Sequence, residues 1–275
     1  MKNNIEKKED NTIEIKITLP WSTVKKEWDV VLAEMIKSAN LPGFRKGKAP
    51  KKLVEEKIDK TKIKEEVLRK LLPEAYASAL KENNIKPIID PQIHIDGEIT
   101  EGKDWNIHAI TCVAPEVKLN NYKEEVKKVT AKSKIIIPGK EKQEPKLDEI
   151  VDVLMNSIDV NIPAILIQNE ADRLLSQMLD EIKKLGMTLD QYLSSTGKKA
   201  EDIRAEYARK AERDLKLEFV LQQIAISEKI TVEEAEIQNT IDKAKPEEKA
   251  SLVQNKYLLA SIIKQQKTLD FLKSL

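Results

Sequence analysis

From Leu147 to Leu275 the apolar residues recur only at helical spacing, and no stretch of that half alternates as a strand does. Stripes run through Leu147, Ile150, Val151, Leu154 and Met155, then from Pro163 through Leu174, Met178 and Ile182 to Gly186, a stop signal. Thr188 with Gln191, and Thr231 with Glu234, have the spacing of capping boxes before further helices. One long helix is expected over 199–228, and Pro246 opens a last one that reaches the C-terminus. Composition fits this reading: the chain is 35% charged and only 4% aromatic, and it has 7 glycines in 275 residues. So few glycines leave little material for phosphate-binding loops, and a large α/β enzyme is a poor match.

The first part of the chain reads differently. Thr12 to Leu19 alternates Ile13, Ile15, Ile17 and Leu19 with polar residues, the period of a half-buried strand. Pro20 ends it, and Ser22 is placed to cap a helix carrying Val24, Trp28, Val31, Leu32 and Met35 to about residue 38. Further stripes at Leu53, Val54 and Ile58, and from Ile63 to Leu80, predict two more helices, the second kinked at Pro73. Extended segments over 88–99 and 105–119 follow, with Gly97 and Gly102 around a hairpin turn. All 3 tryptophans, Trp21, Trp28 and Trp105, fall here, which points to a separate compact core. The expected fold is an α+β N-terminal domain, an antiparallel sheet with helices and a basic helical-hairpin tip, followed by an elongated all-α C-terminal domain. Residues 1–119 form the first domain, 120–146 a linker and 147–275 the second. The linker is lysine-rich and contains Pro138, Gly139 and Pro145; one strand around Val126 to Ile137 is the alternative for part of it.

Charge is informative only when divided. The net charge of +1 argues against a wholly basic nucleic-acid binder. By region, however, 1–119 carries 22 basic and 20 acidic residues, 120–146 carries 8 and 4, and 147–275 carries 18 and 23. Between Asn40 and Lys52 there are 5 basic side chains and no acid, in a loop that also holds Phe44, Gly43 and Gly47. Such a tip can present Phe44 as an apolar anchor, with Arg45, Lys46 and Lys48 free to pair with phosphate or carboxylate.

Enzyme chemistry finds no residues to rest on. The sequence contains no HExxH, GxGxxG or phosphate-loop pattern and no nucleophile with a matching base, so no catalytic residue, metal or cofactor is expected. His94 and His108 lie on segments that can be neighbouring strands, but no acidic or Cys cluster completes a metal site around them. Cys112 has no partner and reads as a small buried hydrophobe. The charged N-terminus lacks the apolar run of a signal peptide, and no stretch approaches a membrane span. A cytoplasmic protein without membrane contact is the expectation.

The segment Gly43-Phe44-Arg45-Lys46-Gly47-Lys48-Ala49-Pro50 resembles the ribosome-binding signature of trigger factor, the bacterial chaperone of the polypeptide exit tunnel. That signature is Gly-Phe-Arg-x-Gly-Lys-x-Pro, and every fixed position is present. LLPEAYASALKENNIKPI at 71–88 and VAPEVKL at 113–119 are similar to the family's N-terminal domain. IDVNIPAILIQNEADRLL at 158–175 and LGMTLDQYLSSTGK at 185–198 are similar to its substrate-cradling helical domain. Most members carry a peptidyl-prolyl isomerase domain of ~100 residues between the two regions. Here 27 residues, 120–146, stand in its place, with Tyr122 as their only aromatic.

The resemblance implies an ATP-independent chaperone without isomerase activity that holds nascent or unfolded polypeptides. It implies that Gly43, Phe44, Arg45, Lys46, Gly47, Lys48 and Pro50 contact an exit-tunnel protein and rRNA. Candidate client contacts are the flexible or amphipathic side chains of the helical region, Met155, Met178, Met187, Tyr192, Tyr257 and Phe271, for which packing between helices is the competing role. Two other readings stay open. One is an RNA-binding or ribosome-assembly factor using the basic loop at 43–52, against which the lack of aromatic stacking platforms counts. The other is a chaperone that never meets the ribosome. A homodimer of the free protein, formed through apolar faces, is also left open.

Overall fold

The computed structural model describes residues 2–38, 59–133 and 146–275. The basic motif at 43–50 and the helix expected at Leu53–Ile58 lie outside the described residues. The chain divides into two compact units, Met1–Ala114 and Pro115–Leu275.

The first unit is a four-stranded antiparallel sheet with helices on one face. In chain order it contains β1 (Lys2–Lys7), β2 (Thr12–Leu19), α1 (Trp21–Ser38), α2 (Lys60–Glu82), β3 (Gln92–Ile95) and β4 (Trp105–Cys112). The strand order is β1-β2-β4-β3. Alternation in β2 puts Ile13, Ile15, Ile17 and Leu19 on one face, and the register sets Ile15 opposite Ala109 and Ile17 opposite Ile107. That face is closed by Val24, Trp28 and Val31 of α1 and Ile63, Val67, Leu71, Ala75 and Ala79 of α2. The tryptophans meet there: Trp28 lies 6.5 Å from both Trp21 and Trp105, edge-on to the latter at 77°. Such tilted aromatic pairs add to the stabilisation that comes from burial.

Several sequence expectations are corrected in this unit. Strand β1 is joined to β2 through a turn in which Asn11 takes φ +65° and Asp10 accepts hydrogen bonds from the Thr12 backbone and hydroxyl at 3.0 and 2.9 Å. Its sequence, KNNIEK, lacks alternation because it is a polar edge. Helix α1 begins at Trp21 rather than being capped by Ser22; the Trp21 amide donates to Asp104 Oδ1 at 2.8 Å, so the capping carboxylate comes from a distant loop. Pro73 lies inside α2, which is one continuous element capped by Asp59 through the Thr61 amide at 2.9 Å.

The second unit is built from α3 (Tyr122–Ser133), α4 (Leu147–Ser157), α5 (Ala164–Lys184), α6 (Leu189–Thr196), α7 (Ala200–Ser227), α8 (Glu234–Lys243), α9 (Pro246–Gln254) and α10 (Lys256–Ser274). Helix α3 occupies the segment expected to be a linker. Tyr122 and Val126, with Val129 beside them, fall on one face and pack against Ile150, Leu154, Val220, Leu221, Ile224 and Leu272. The described part of 120–146 is therefore an integral layer of this unit, and the strand alternative at Val126 is excluded by the helix there.

The α5 and α7 helices run antiparallel, as shown by Ala171 and Leu174 meeting Ala211 while Met178 and Ile182 meet Ile203. Helix α6 closes the far end of this pair. It starts with the expected capping box, in which the Thr188 amide donates to Gln191 Oε1 at 2.8 Å and the Gln191 amide to Thr188 Oγ1 at 3.3 Å. Gly186 takes φ +73° and turns the chain out of α5, as its position in the sequence suggested. The later capping box shifts from the expected pair to Glu233 and Glu236. The single last helix becomes two, α9 opened by Pro246 and α10 after a break at Asn255. A separate small core, Ile237, Ile241 and Leu259, joins α8 to α10.

Candidate functional site

The basic segment is bracketed by α1, which ends at Ser38, and α2, which starts at Lys60. These two helices pack on each other and on the sheet, and Lys70 of α2 bridges Glu27 and Glu34 of α1 at 3.1 and 3.0 Å. Both carboxylates hold the Lys70 ammonium pKa above its ordinary value, the Glu34 hydrogen bond most of all. Gly43, Phe44, Arg45, Lys46, Gly47, Lys48 and Pro50 themselves lie outside the described residues.

In the helical unit the candidate client residues separate into three groups by burial. Met178 is 7% exposed and packs with Ile182 and Ile203, so in this arrangement it is core and not surface. Met187 and Tyr192 are half-buried against the same cluster, and Phe271 is half-buried on the α3/α4/α7/α10 core with the Lys123 ammonium 5.9 Å from its ring. Met155 is half-buried, and its carbonyl accepts from Lys216 Nζ at 2.8 Å. Tyr257 alone of the six is freely presented, at 91% exposure.

The sequence reading missed most of the exposed apolar surface. Leu258 and Ile262 sit one turn apart on α10 and are exposed, and Val253 at the end of α9 and Ile226 near the end of α7 are exposed as well. Leu185, at the end of α5, is 77% exposed. Between α7 and α10 lies a groove of about 480 Å³ lined by Leu221, Ala225, Ile230, Val232, Tyr257 and Ala260 together with polar side chains. Its floor is rigid. Lys267 Nζ donates to the Thr231 carbonyl at 2.7 Å and to both Glu236 carboxylate oxygens at 2.9 Å, pinning the α7–α8 turn to α10. Polar handles beside open apolar faces suit reversible contact with many sequences better than tight capture of one ligand.

At the same C-terminal end of α7, Glu228 accepts from Tyr122 Oη at 2.9 Å and from Lys123 Nζ at 2.8 Å. The Lys123 hydrogen bond holds the Glu228 carboxyl below the usual range, while burial pushes the Tyr122 hydroxyl up. This clamp ties α3 to α7. It reads as structural.

Among the described residues, no group of three His, Cys, Asp or Glu side chains is placed to hold a metal ion. His94 and His108 are directly opposed on β3 and β4, and His108 Nε2 lies 2.6 Å from Asp96 Oδ2. Cys112 is fully buried, and burial pushes its thiol up to about 11, the opposite of an activated nucleophile. No helix among the described residues is long and apolar enough to cross a membrane.

Residues 1–150 match the family model described as bacterial trigger factor protein, and residues 118–274 match the one described as the trigger factor C-terminus. The two matches overlap at 118–150, so no domain stands between them. Trigger factor of Staphylococcus carnosus (strain TM300) is 39% identical over 118 residues, and that of Staphylococcus aureus (strain Newman) is 38% identical over the same length. These alignments take in 43% of this chain, which thereby covers 27% of each relative's length. A solved structure from work on promiscuous substrate recognition in folding and assembly by the trigger factor chaperone superposes with a TM-score of 0.67. The superposition takes in 100% of this chain and 99% of that one at 14% identity, a likeness of fold. With each family model covering more than half of the sequence and both agreeing with the sheet-and-helix architecture, the chain belongs to the bacterial trigger factor family.

Proposed function

We propose that this protein is an ATP-independent chaperone of the cytoplasm that docks at the ribosomal exit tunnel through residues 43–50 and holds nascent or unfolded polypeptides on its helical unit. The observation that carries the reading is the set of large apolar side chains left uncovered on that unit, Tyr257, Leu258, Ile262, Val253 and Leu185, on helices joined by small separate cores. Docking is supported by the full match of GFRKGKAP to the family signature and by the five cations without an acid between Asn40 and Lys52. Holding would require no bond-making step, and the overlap of the two family matches leaves no isomerase domain to add one.

The test has two arms. Co-sedimentation with ribosomes should be lost in the triple variant Phe44→Ala, Arg45→Ala, Lys46→Ala, and in the wild type it should fall steeply with salt. Suppression of aggregation of a chemically unfolded client should persist in that variant but fall in Tyr257→Ser, Leu258→Ser, Ile262→Ser. Ribosome pelleting unchanged by the first variant would remove the docking assignment, and retained binding to naked rRNA fragments would favour an RNA-binding factor. Undiminished suppression in the second variant would remove the holding surface.

A further inference from the structure

The sheet of the first unit ends at β1 on one side and at β3 on the other, and these two edges are built differently. Strand β1 carries charged residues, including Glu6 and Lys7, the usual protection of an edge against pairing with another chain. Strand β3, Gln92-Ile93-His94-Ile95, carries no Lys, Asp, Glu or Pro within it. Its ladder to β4 continues through the Asp96 amide, which donates to the Asn106 carbonyl at 3.0 Å. In an antiparallel ladder such bonds alternate, so Gln92, His94 and Asp96 turn their backbone groups toward β4 while those of Ile93 and Ile95 point away from the sheet.

The same two residues carry exposed side chains. Ile93 is opposite Ala109 and Ile95 opposite Ile107, both fully buried, which places the two isoleucines on the helix-covered face of the sheet. Yet Ile93 is 38% exposed and Ile95 44% exposed, although the residues opposite them are fully buried. Outward-facing backbone donors and acceptors therefore coincide with a two-residue β-branched row that continues a buried face. Only an extended polypeptide satisfies both at once.

We propose that the β3 edge takes up an extended, unfolded polypeptide segment as an antiparallel fifth strand. The segment that fits alternates apolar and polar residues, its apolar side chains lying alongside Ile93 and Ile95, with basic residues at its ends. Charge sets the last condition: Asp90 lies just before the strand and Asp96 just after it, both exposed. The same carboxylates oppose pairing with a second copy, because a register that sets Ile93 against Ile93 also sets Asp90 against Asp96. This edge is a second contact for unfolded chain, independent of the helical surface.

The test uses the full chain and a fluorescein-labelled peptide, acetyl-Lys-Val-Thr-Val-Thr-Val-Lys-amide, read by fluorescence anisotropy. Ile93→Pro removes only an outward-facing N–H, so the ladder to β4 is kept, and binding should weaken at least tenfold while the tryptophan emission is unchanged. N-methylation of the valine amides, which face Ile93 and Ile95 in the antiparallel pairing, should abolish binding to the wild type. N-methylation of the threonine amides, which face solvent, should leave it within about threefold of the unmodified peptide. The peptide series needs no protein variant and decides the matter if Ile93→Pro fails to fold. Equal binding of the two methylated peptides, or undiminished binding to folded Ile93→Pro, would overturn the proposal. So would a concentration-dependent dimer in sedimentation that Ile93→Pro abolishes, which would assign the edge to a second copy. Tyr257→Ser, Leu258→Ser, Ile262→Ser should leave peptide affinity unchanged, so failure of the helical holding surface and failure of the edge are read separately.

Discussion

Val126→Ala tests whether α3 is part of the helical unit or a tether resting on it. Val126 is fully buried among Ile150, Leu154, Val220, Leu221, Ile224 and Leu272. The substitution removes two methyl groups, worth ~0.8 kcal/mol each by transfer, and the residual cavity adds to this, for a total of about 2 kcal/mol. With a urea dependence of about 2 kcal/mol per M for a unit of this size, the midpoint should fall by about 1 M. The molecule supplies its own reference probe. All 3 tryptophans belong to the first unit, so their fluorescence follows the sheet, whereas the far-UV circular dichroism at 222 nm is dominated by the helical unit. The dichroism transition should shift and the tryptophan transition should not. Tyr122→Phe, which deletes the hydroxyl held by Glu228, should shift the same transition in the same direction by about 1–2 kcal/mol. A tether would give less than about 0.5 kcal/mol for either change, the usual range for exposed positions. A dichroism midpoint unmoved by Val126→Ala would refute the packing described for α3.

Two further outcomes follow from the titratable groups. Glu228 has a native pKa held below the ordinary 4.5 by Lys123 first and Tyr122 next, so its stabilisation is fully present above pH ~4.5 and is lost as pH falls through the lowered native value. Urea midpoints should therefore differ between wild type and Glu228→Gln at pH 7, and the difference should shrink as the pH falls from ~4.5 through the lowered native value; a difference that stays constant on acidification would contradict the clamp. Cys112, fully buried with its thiol pushed up to about 11, should resist a disulfide reagent at pH 8 in the native protein and react at once in denaturant. Rapid native labelling would mean that β4 opens far more readily than its packing allows.

The elements legible in the sequence are those whose neighbours share their period. Strands β2 and β4, the stripes of α4, α5 and α7, and the Thr188–Gln191 cap are local patterns of side chains that face a single partner layer. Strand β1 was missed because a polar edge need not alternate, although Asp10 and Asn11 announced its turn. Helix α3 was hidden by lysines, yet Tyr122, Val126 and Val129 already had helical spacing. The Asp104 cap of α1 lies 83 residues from its amide and has no local signature at all.

For the candidate sites the division is sharper. Residues 43–50 are recognisable because the arrangement of a phenylalanine, cations and glycines is itself the signal, carried in eight consecutive positions. Which apolar residues of the helices stay exposed is not encoded locally: Leu259 is buried and Leu258 beside it is open, because only one of them faces α8. The same holds for Met178 and Tyr257, equal candidates by residue type, one closed under α7 and the other on the rim of a groove. Sequence by itself determined the periods, the family signature and the lack of space for a domain between the two regions, since these depend on residues close in the chain. Tertiary structure decided which faces were covered, because burial depends on what arrives from elsewhere in the chain, and the uncovered faces are those on which the proposed chaperone surface and strand-accepting edge rest.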